Sequence, residues 1–238
     1  MTKKINTKLS KLIKYYTLIN HNLILNNKTI NRYKKNANFS VSNKNDALNK
    51  LKNQISNIKN CDLKKNATNL VFSDGNPDSM VMIIGEGPGS NEDKEGLPFV
   101  GRAGQLLDKM LESIKLNRNN VYITNVVNFR PPENRKPSNK EIDRYLPFLT
   151  KHIEIINPKI LILLGSTALN TLIGSKDVIS KARGKWINIK IGSCITNVIV
   201  SFHPAFLIRQ PEQKRGAWVD LKMIKKKISD LNIKIEKN

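Results

Sequence analysis

Cysteine is scarce in this 238-residue chain, and long apolar runs are missing. The two cysteines, Cys61 and Cys194, lie 133 residues apart, a spacing that gives neither a disulfide framework nor a metal-ligand motif and that favours a reducing compartment. No apolar run approaches the roughly 18 residues of a membrane span, and the N-terminus lacks the apolar stretch and cleavage site of a secretory signal. We therefore expect a soluble, cytoplasmic protein with no membrane contact.

Acidic residues are also scarce, because 19 Asp and Glu stand against 41 Lys and Arg, a formal net charge of +22. Two explanations remain equally open on charge alone. One is a polyanionic partner, either nucleic acid or an anionic membrane, and the other is a Lys-rich compositional habit. The surplus is uneven, since residues 1–66 hold 15 Lys and Arg, 2 Asp and Glu, and no Gly or Pro.

This Asn- and Lys-rich start predicts a basic extension over residues 1–50, partly helical or disordered, followed by a domain over residues 51–238. Apolar side chains at helical spacing favour an amphipathic helix over about residues 8–25. They are Leu9, Leu12, Ile13, Tyr16, Ile19 and Leu23. The polar composition of about residues 26–45 is typical of a linker. An organelle transit peptide is a minor alternative, although such peptides are usually Arg- and Ser-rich.

Four short apolar runs divide the rest of the chain. Each is continuously apolar, as expected for a strand covered on both faces of a sheet. The runs are MVMII (80–84), VYITNVV (121–127), KILILLG (159–165) and TNVIVSF (196–202). Helical patterns separate them, including GQLLDKMLESI (104–114) and a segment that opens with an S-x-x-E capping box at Ser138 and runs to about Ile156. The alternation predicts an α/β fold with a parallel sheet between two helical layers, and ligand sites in such sheets lie outside the carboxyl ends of the strands.

An acidic, glycine-rich loop follows the first of these strands. Its sequence is GEGPGSNEDKEGLPFVGRAG (85–104), and a second segment, SFHPAFLIR, follows the fourth strand at the same edge of the sheet. The concentration of carboxylates in one loop of so basic a chain indicates that the function of this loop requires acidic side chains. A dinucleotide-binding loop is the competing interpretation of the glycines, but Pro88 interrupts the G-x-G-x-x-G pattern and no clear strand with an acidic end follows about 20 residues on.

Three blocks of the sequence resemble, in order and at suitable separations, the motifs of type 4 uracil-DNA glycosylases. They are GEGPGSNEDKEGLPFVGRAGQLLD, YITNVVNFRPPENRKP and HPAFLIRQPEQKRGAWVDL. The resemblance covers about residues 55–230. It implies a three-layer sandwich with a central four-stranded parallel sheet, and hydrolysis of the N-glycosidic bond of uracil in DNA after base flipping. The implied partner is uracil-containing DNA, and we expect a monomer.

The resemblance assigns chemical roles to five residues. Glu86 matches the acidic position that favours an oxocarbenium-like sugar and orients water. His203 matches the donor to uracil O2, which stabilises charge on the departing base. Phe99 matches the aromatic wall that stacks on uracil, Asn125 matches the amide that reads the uracil edge, and Gly87 matches a further uracil-binding position.

Other matching positions imply loop support and DNA contacts. Glu92 and Asp93 match an acidic pair that we interpret as supporting the loop, while Glu95 is expected to be solvated. Leu207 matches the apolar wedge that fills the gap left by a flipped base. Phosphate contacts are expected from Arg209, Lys214 and Arg215. A solvated basic surface is an equally good interpretation of these last three cations.

One departure from the resembled family concerns its cofactor. Members usually bind a four-iron, four-sulfur cluster through four cysteines, and the corresponding positions here are Ile58, Cys61, Phe129 and Tyr145. Three of these side chains cannot supply a thiolate, whereas apolar and aromatic groups are suited to filling the same space. We therefore expect no metal and no cofactor.

Two alternatives from other functional classes remain. One is a catalytically inert DNA-binding or replication-associated relative of the fold, although the intact Glu86, Phe99, Asn125 and His203 argue against it. The other is a relative that traps uracil-DNA covalently through its histidine, although the insertion associated with such relatives is not evident after PFVGRAG.

Overall fold

The computed structural model describes residues 41–174 and 178–235. The amphipathic helix expected over about residues 8–25 and most of the expected linker lie outside the described residues. The helices in the described part are α1 (Val41–Ser56), α2 (Asp62–Asn66), α3 (Ser90–Glu95), α4 (Arg102–Glu112), α5 (Asn139–Ile156), α6 (Ser166–Ile173), α7 (Ile179–Ala182), α8 (Pro204–Arg209) and α9 (Lys214–Asp230). The strands are β1 (Asp74–Gly75), β2 (Val81–Gly85), β3 (Tyr122–Asn125), β4 (Ile160–Leu164), β5 (Trp186–Ile191) and β6 (Cys194–Ser201). Within these two ranges, every helix is too short or too polar to pass through a membrane.

A mixed sheet with the strand order β1-β3-β2-β4-β6-β5 forms the centre of the fold. The four apolar runs predicted as strands are its inner members β3, β2, β4 and β6, and all of their pairings are parallel. The short β1 and the longer β5 pair antiparallel at the two edges. The predicted fold class is therefore confirmed, and the prediction of four strands left out the two edges.

Helices cover both faces of the sheet, which gives three layers. In β2, Met82 and Ile84 lie in the core cluster that contains α1 and α5, whereas Val81 and Ile83 lie in the cluster that contains α4 and α9. All four side chains are buried. Burial on both faces explains why the inner strands are continuously apolar.

Helix α1 belongs to this fold. Leu48 and Leu51 are 6% and 2% exposed, and both lie in the same core cluster as α5. The boundary predicted between residues 50 and 51 thus lies inside α1. The last ten residues of the predicted basic extension are helical.

Helix α5 begins where the capping box predicted. The Ser138 hydroxyl accepts a hydrogen bond from the Glu141 N–H at 3.3 Å, and the Glu141 carboxylate accepts one from the Ser138 N–H at 2.7 Å. Arg135 donates twice to the same carboxylate, and this contact lowers the pKa of Glu141 to about 2. The start of α5 therefore fixes the end of the loop that follows β3.

Candidate active site at the carboxyl ends of the parallel strands

A cavity of about 440 Å³ lies where the loops after β2, β3, β4 and β6 meet. Because these strands are parallel, their carboxyl ends share one edge of the sheet, the position at which open α/β sheets bind ligands. The predicted site residues that line the cavity are Glu86, Gly87, Glu92, Phe99, Asn125, His203 and Arg209. The predicted site residues outside the lining are Asp93, Leu207, Lys214 and Arg215. Seven residues from distant parts of the sequence thus meet at one place.

Gly85, the last residue of β2, leaves room for two of these side chains. A Cβ atom added to Gly85 would lie 2.4 Å from Asn125 Oδ1 and 2.5 Å from Phe99 Cζ. Both distances are below 3.0 Å, closer than Cβ atoms in proteins approach any neighbouring atom. The Asn125 amide and the Phe99 ring therefore border the same small space above Gly85.

Phe99 forms an aromatic wall of the cavity. Its side chain is 5% exposed, and its ring stacks on the His203 imidazole with 5.6 Å between ring centroids and 29° between planes. Its φ of +56° is unusual for a bulky residue. Backbone strain of this kind persists only where surrounding contacts hold it, and it is common at ligand sites.

Asn125 ends β3 and is 3% exposed. Its Oδ1 atom has no hydrogen-bond partner among the described residues, although the great majority of buried polar atoms in proteins are paired. A side-chain amide offers an acceptor and a donor side by side. Asn125 is therefore suited to a planar ligand with a complementary edge.

His203 lies between β6 and α8 in the form of a neutral imidazole. Its Nδ1 accepts a hydrogen bond from the Ala205 N–H at 3.2 Å, so the proton of the neutral ring is on Nε2. Burial lowers the pKa of His203 to about 4, assisted by the positive charge of Arg209 and opposed by Glu92. At neutral pH this side chain is a hydrogen-bond donor without a charge.

Glu86 follows β2, and its carboxylate is held by a residue at the start of α6. The hydroxyl of Thr167, a buried residue in the first turn of α6, donates a hydrogen bond to Glu86 Oε2. Sequence reasoning missed Thr167, although it lies just after the predicted strand KILILLG, where a ligand site was expected. Looking at the carboxyl end of this third strand would have found it.

Glu92 and Asp93 stabilise the loop between β2 and α4 through hydrogen bonds to its backbone and to a neighbouring segment. Both carboxylates are buried and accept hydrogen bonds from backbone N–H groups. The donors to Glu92 are Gly89 at 3.1 Å, Val100 at 3.0 Å and Gly101 at 2.8 Å. The donors to Asp93 are Thr68 at 2.9 Å and Asn69 at 3.1 Å. Glu95, by contrast, is exposed.

The residues predicted to contact DNA differ in exposure. Leu207 is 1% exposed and lies in the core cluster with α4 and α9. The wedge role predicted for it does not fit this position, because a wedge must be at the surface, and Leu207 instead attaches α8 to the core. Arg209, Lys214 and Arg215 are exposed, the first at the end of α8 and the other two at the start of α9.

The loop after β3 supplies a further basic part of the lining that the sequence analysis did not assign. Asn134, Arg135 and Lys136 all border the cavity. Arg130 Nε donates to Asn134 Oδ1 at 2.8 Å, which fixes the turn in which Glu133 and Asn134 have positive φ. The signal was the segment RPPENRK (130–136) itself, which holds three cations among its seven residues and follows the end of β3.

The four positions that correspond to cluster cysteines all lie in, or pack against, the same one of the two core clusters. Cys61, Phe129 and Tyr145 are buried in the cluster that contains α1 and α5, and Ile58 packs against it. Cys61 Sγ and the Tyr145 hydroxyl form a hydrogen bond of 3.3 Å. Burial, followed by this bond, raises the pKa of the Tyr145 hydroxyl, which stays protonated.

This donor set does not fit an iron-sulfur cluster. One thiol, one phenol and two hydrocarbon side chains stand where four thiolates would be required. Elsewhere in residues 41–174 and 178–235, no three His, Cys, Asp or Glu side chains are grouped so as to hold a metal ion.

Comparison with known proteins gives one family. The chain matches the model of the uracil DNA glycosylase superfamily over residues 72–222, a stretch that contains all four parallel strands and every residue of the cavity lining. The chain also matches three relatives named type-4 uracil-DNA glycosylase, each over most of the relative's length. The protein of Thermotoga maritima is 47% identical over 150 residues, 63% of this chain and 77% of the relative. That of Sulfurisphaera tokodaii is 40% identical over 185 residues, 76% of this chain and 84% of the relative. That of Archaeoglobus fulgidus is 36% identical over 183 residues, 75% of this chain and 92% of the relative.

Proposed function

Because the chain belongs to the uracil DNA glycosylase superfamily, we propose that it hydrolyses the N-glycosidic bond between uracil and deoxyribose in DNA. The observation that carries the proposal is the convergence of Glu86, Phe99, Asn125 and His203 on one cavity of about 440 Å³. An aromatic wall, a buried amide, a neutral imidazole and a carboxylate are the groups needed to hold a pyrimidine and to separate it from its sugar.

Capture of the base rests on Phe99 and Asn125. Uracil in a duplex is stacked and paired, so the nucleotide must first rotate out of the helix and enter the cavity. The Phe99 ring would then stack on the base, a contact worth about 1 to 3 kcal/mol. The Asn125 amide would accept from uracil N3–H and donate to O4. Cytosine lacks this pattern, because it has an amino group in place of O4 and an acceptor at N3.

The chemical step rests on His203 and Glu86. When the C1′–N1 bond breaks, the electron pair leaves on N1 of the base, and the negative charge spreads from N1 onto uracil O2 and O4. The neutral His203 would donate its Nε2 proton as a hydrogen bond to O2 and stabilise that charge. The Glu86 carboxylate would favour the cationic sugar, orient water toward C1′ and accept the proton that water loses as the new C1′–O bond forms.

DNA binding rests on exposed cations around the cavity. Arg135 and Lys136 approach it from the loop after β3, and Arg209 approaches it from α8. Lys214 and Arg215 follow at the start of α9. We infer that these side chains contact phosphates and that the basic extension adds non-specific attraction. Leu207 is left out of this interface because it is buried.

We also infer that this member works without an iron-sulfur cluster. The support is the hydrogen bond between Cys61 and Tyr145, together with the burial of Phe129 at a third cluster position. Side chains that pack against one another there leave the structural role of a cluster to the chain itself.

The test of the proposed activity is incubation of the purified protein with a single-uracil oligonucleotide, followed by alkali and a denaturing gel. We expect an abasic product that alkali cleaves. His203→Ala, which removes the O2 donor, should slow single-turnover excision by roughly 10² to 10³. An unchanged strand would indicate the inert DNA-binding alternative, and a protein–DNA adduct would indicate the covalent one; either result would overturn the proposal.

A further inference from the structure

Arg118 connects four groups at the entrance to β3. Its Nε donates to Asp108 Oδ1 on α4 at 2.9 Å, and its Nη1 donates to Asp74 Oδ2 on β1 at 2.5 Å. The same guanidinium donates to the carbonyl oxygens of Pro98, at 3.1 Å, and of Phe99. Arg118 thus links two elements of the scaffold to the backbone of the residue that forms the aromatic wall.

The two carboxylates keep this guanidinium charged and oriented. Burial opposes the charge, but the hydrogen bonds to Asp108 and Asp74 outweigh burial and hold the pKa of Arg118 above its ordinary value. A planar guanidinium bound to carboxylates presents its other N–H groups in a fixed direction. In this protein they face the carbonyl oxygens of Pro98 and Phe99.

The backbone of Phe99 requires such support. Its φ of +56° places a bulky residue in the left-handed region, which is stable only when neighbouring contacts maintain it. Gly104 supplies a second contact, since a Cβ atom added there would lie 1.6 Å from the Phe99 carbonyl oxygen. The oxygen is therefore enclosed between the first turn of α4 and the Arg118 guanidinium.

We propose that Arg118 is a positioning residue, which holds Phe99 in the conformation that directs its ring into the cavity. Arg118 is not part of the cavity lining, so its influence on a bound base passes through Phe99. The inference rests on the proposed function, because it assumes that the Phe99 ring stacks on a flipped base. It adds a residue that lies 19 positions along the chain from Phe99 and belongs to no motif of the resemblance.

The test is a double-mutant cycle read out by single-turnover excision over a range of enzyme concentrations. Phe99→Ala should raise the half-saturating concentration by about 5-fold to 150-fold, the equivalent of one base stack. Arg118→Ala should raise the half-saturating concentration by a factor in the same range. It should change the rate at saturation by a smaller factor than it changes this concentration. The double variant should be no worse than Phe99→Ala alone, because the loss of the ring removes what Arg118 positions.

Arg144 provides the matched control. It also donates to a backbone carbonyl, that of Lys59, but from α5 and away from the cavity. Arg144→Ala combined with Phe99→Ala should therefore give the product of the two single effects. Arg118→Ala behaving in this multiplicative way would overturn the proposal. If Arg118→Ala does not fold, the cycle is run with Arg118→Lys, which keeps the charge and loses the planar fork.

A second measurement separates this inference from the proposed function. Hydrogen exchange of the amides of Leu97, Phe99, Val100 and Gly101 should become faster in the Arg118 variant, while exchange in α5 stays at the wild-type rate. Adding guanidinium ion to Arg118→Ala should slow the exchange again. Wild-type protein that leaves uracil DNA intact would defeat the proposed function, whereas unchanged exchange near Phe99 would defeat the role of Arg118.

Discussion

The Thr167 hydroxyl, in the first turn of α6, donates a hydrogen bond to the carboxylate of Glu86, which lies 81 positions earlier in the loop after β2. Glu86→Gln keeps the shape of the side chain and removes its charge. We expect it to slow single-turnover uracil excision by roughly 10² to 10⁴, the usual contribution of an acid–base group, with little change in DNA affinity.

Thr167 supplies a graded control for this prediction. Thr167→Val loses the hydrogen bond to the carboxylate and should slow excision by roughly tenfold or more, the equivalent of one hydrogen bond to a charged group. Thr167→Ser keeps the hydroxyl and should retain most of the rate. The assignment of Glu86 would have to be abandoned if Glu86→Gln excised uracil at the wild-type rate.

A change at Asn125 tests selection of the base. Asn125→Asp replaces the amide donor by a carboxylate beside the base edge, so the contact with uracil O4 becomes repulsive when the acid is ionised. Uracil excision should fall, and weak cytosine excision should appear as the pH is lowered and the acid is protonated. The measurement compares both substrates from pH 5 to pH 8, and selectivity equal to that of the wild type would contradict the role of Asn125.

His152 predicts loss of stability in acid. It is 2% exposed, its Nε2 lies 2.8 Å from the Tyr122 hydroxyl, and burial lowers its pKa to about 3. In the unfolded chain the pKa is about 6.5. Below pH 6.5 the unfolded state therefore binds a proton that the folded state does not. Each such histidine lowers the free energy of unfolding by up to about 1.4 kcal/mol per pH unit.

Urea denaturation at several pH values between 7.5 and 4.5 measures this slope. The half-buried His203, with a pKa of about 4, contributes to the same trend, so the comparison of interest is between wild type and His152→Gln. The variant should lose stability less steeply with acid. Equal slopes would mean that His152 takes up its proton at the same pH in the folded and the unfolded protein.

The core around Tyr145 predicts a colourless protein. Purification without oxygen should give no broad absorbance near the roughly 400 nm typical of iron-sulfur clusters and no stoichiometric iron. Tyr145→Phe keeps the ring and removes the bond to Cys61, and it should lower the free energy of unfolding by about 1 kcal/mol. About four irons per chain would show that Ile58, Phe129 and Tyr145 do not occupy the cluster positions.

The basic extension predicts the salt dependence of DNA binding. Residues 1–40 contain nine Lys and Arg and no Asp or Glu. If these residues lie along phosphates, DNA binding by a protein that lacks them releases fewer counterions. The plot of log K against log salt concentration is then flatter for the truncated protein. Deletion of residues 1–40 keeps α1 intact, so single-turnover excision at saturation should be nearly unchanged. An unaltered slope would argue against contact between the extension and DNA.

The inner sheet could be predicted from the sequence because its strands are covered on both faces. MVMII is continuously apolar since Val81 and Ile83 meet one helical layer while Met82 and Ile84 meet the other. β5 was not predicted, because the prediction relied on continuously apolar runs. It is an edge strand, in which polar residues such as Asn188 and Lys190 alternate with apolar ones. The two residues of β1 are too few to give any pattern.

The site was predictable where a residue lies beside a motif and unpredictable where it acts through a distant contact. Glu86 and His203 follow strand ends directly. The bond from Thr167 to Glu86 spans 81 residues, and that from Arg118 to Phe99 spans 19, so both exist only once the chain has folded. The burial of Leu207 could not be predicted for a related reason. Its place around the short helix α8 decides whether the side chain faces the core or the solvent.

The contact between Cys61 and Tyr145 has a further consequence for how the protein matures. In a protein that needs a structural metal group, folding depends on the supply of that group, because the site is rarely formed in the unfolded chain. If this member works without a cluster, as we propose, the contact between Cys61 and Tyr145 forms from the chain alone when α5 packs against Cys61. The amount of folded protein should then follow its rate of synthesis, independently of iron starvation or of oxidants that dismantle inorganic clusters.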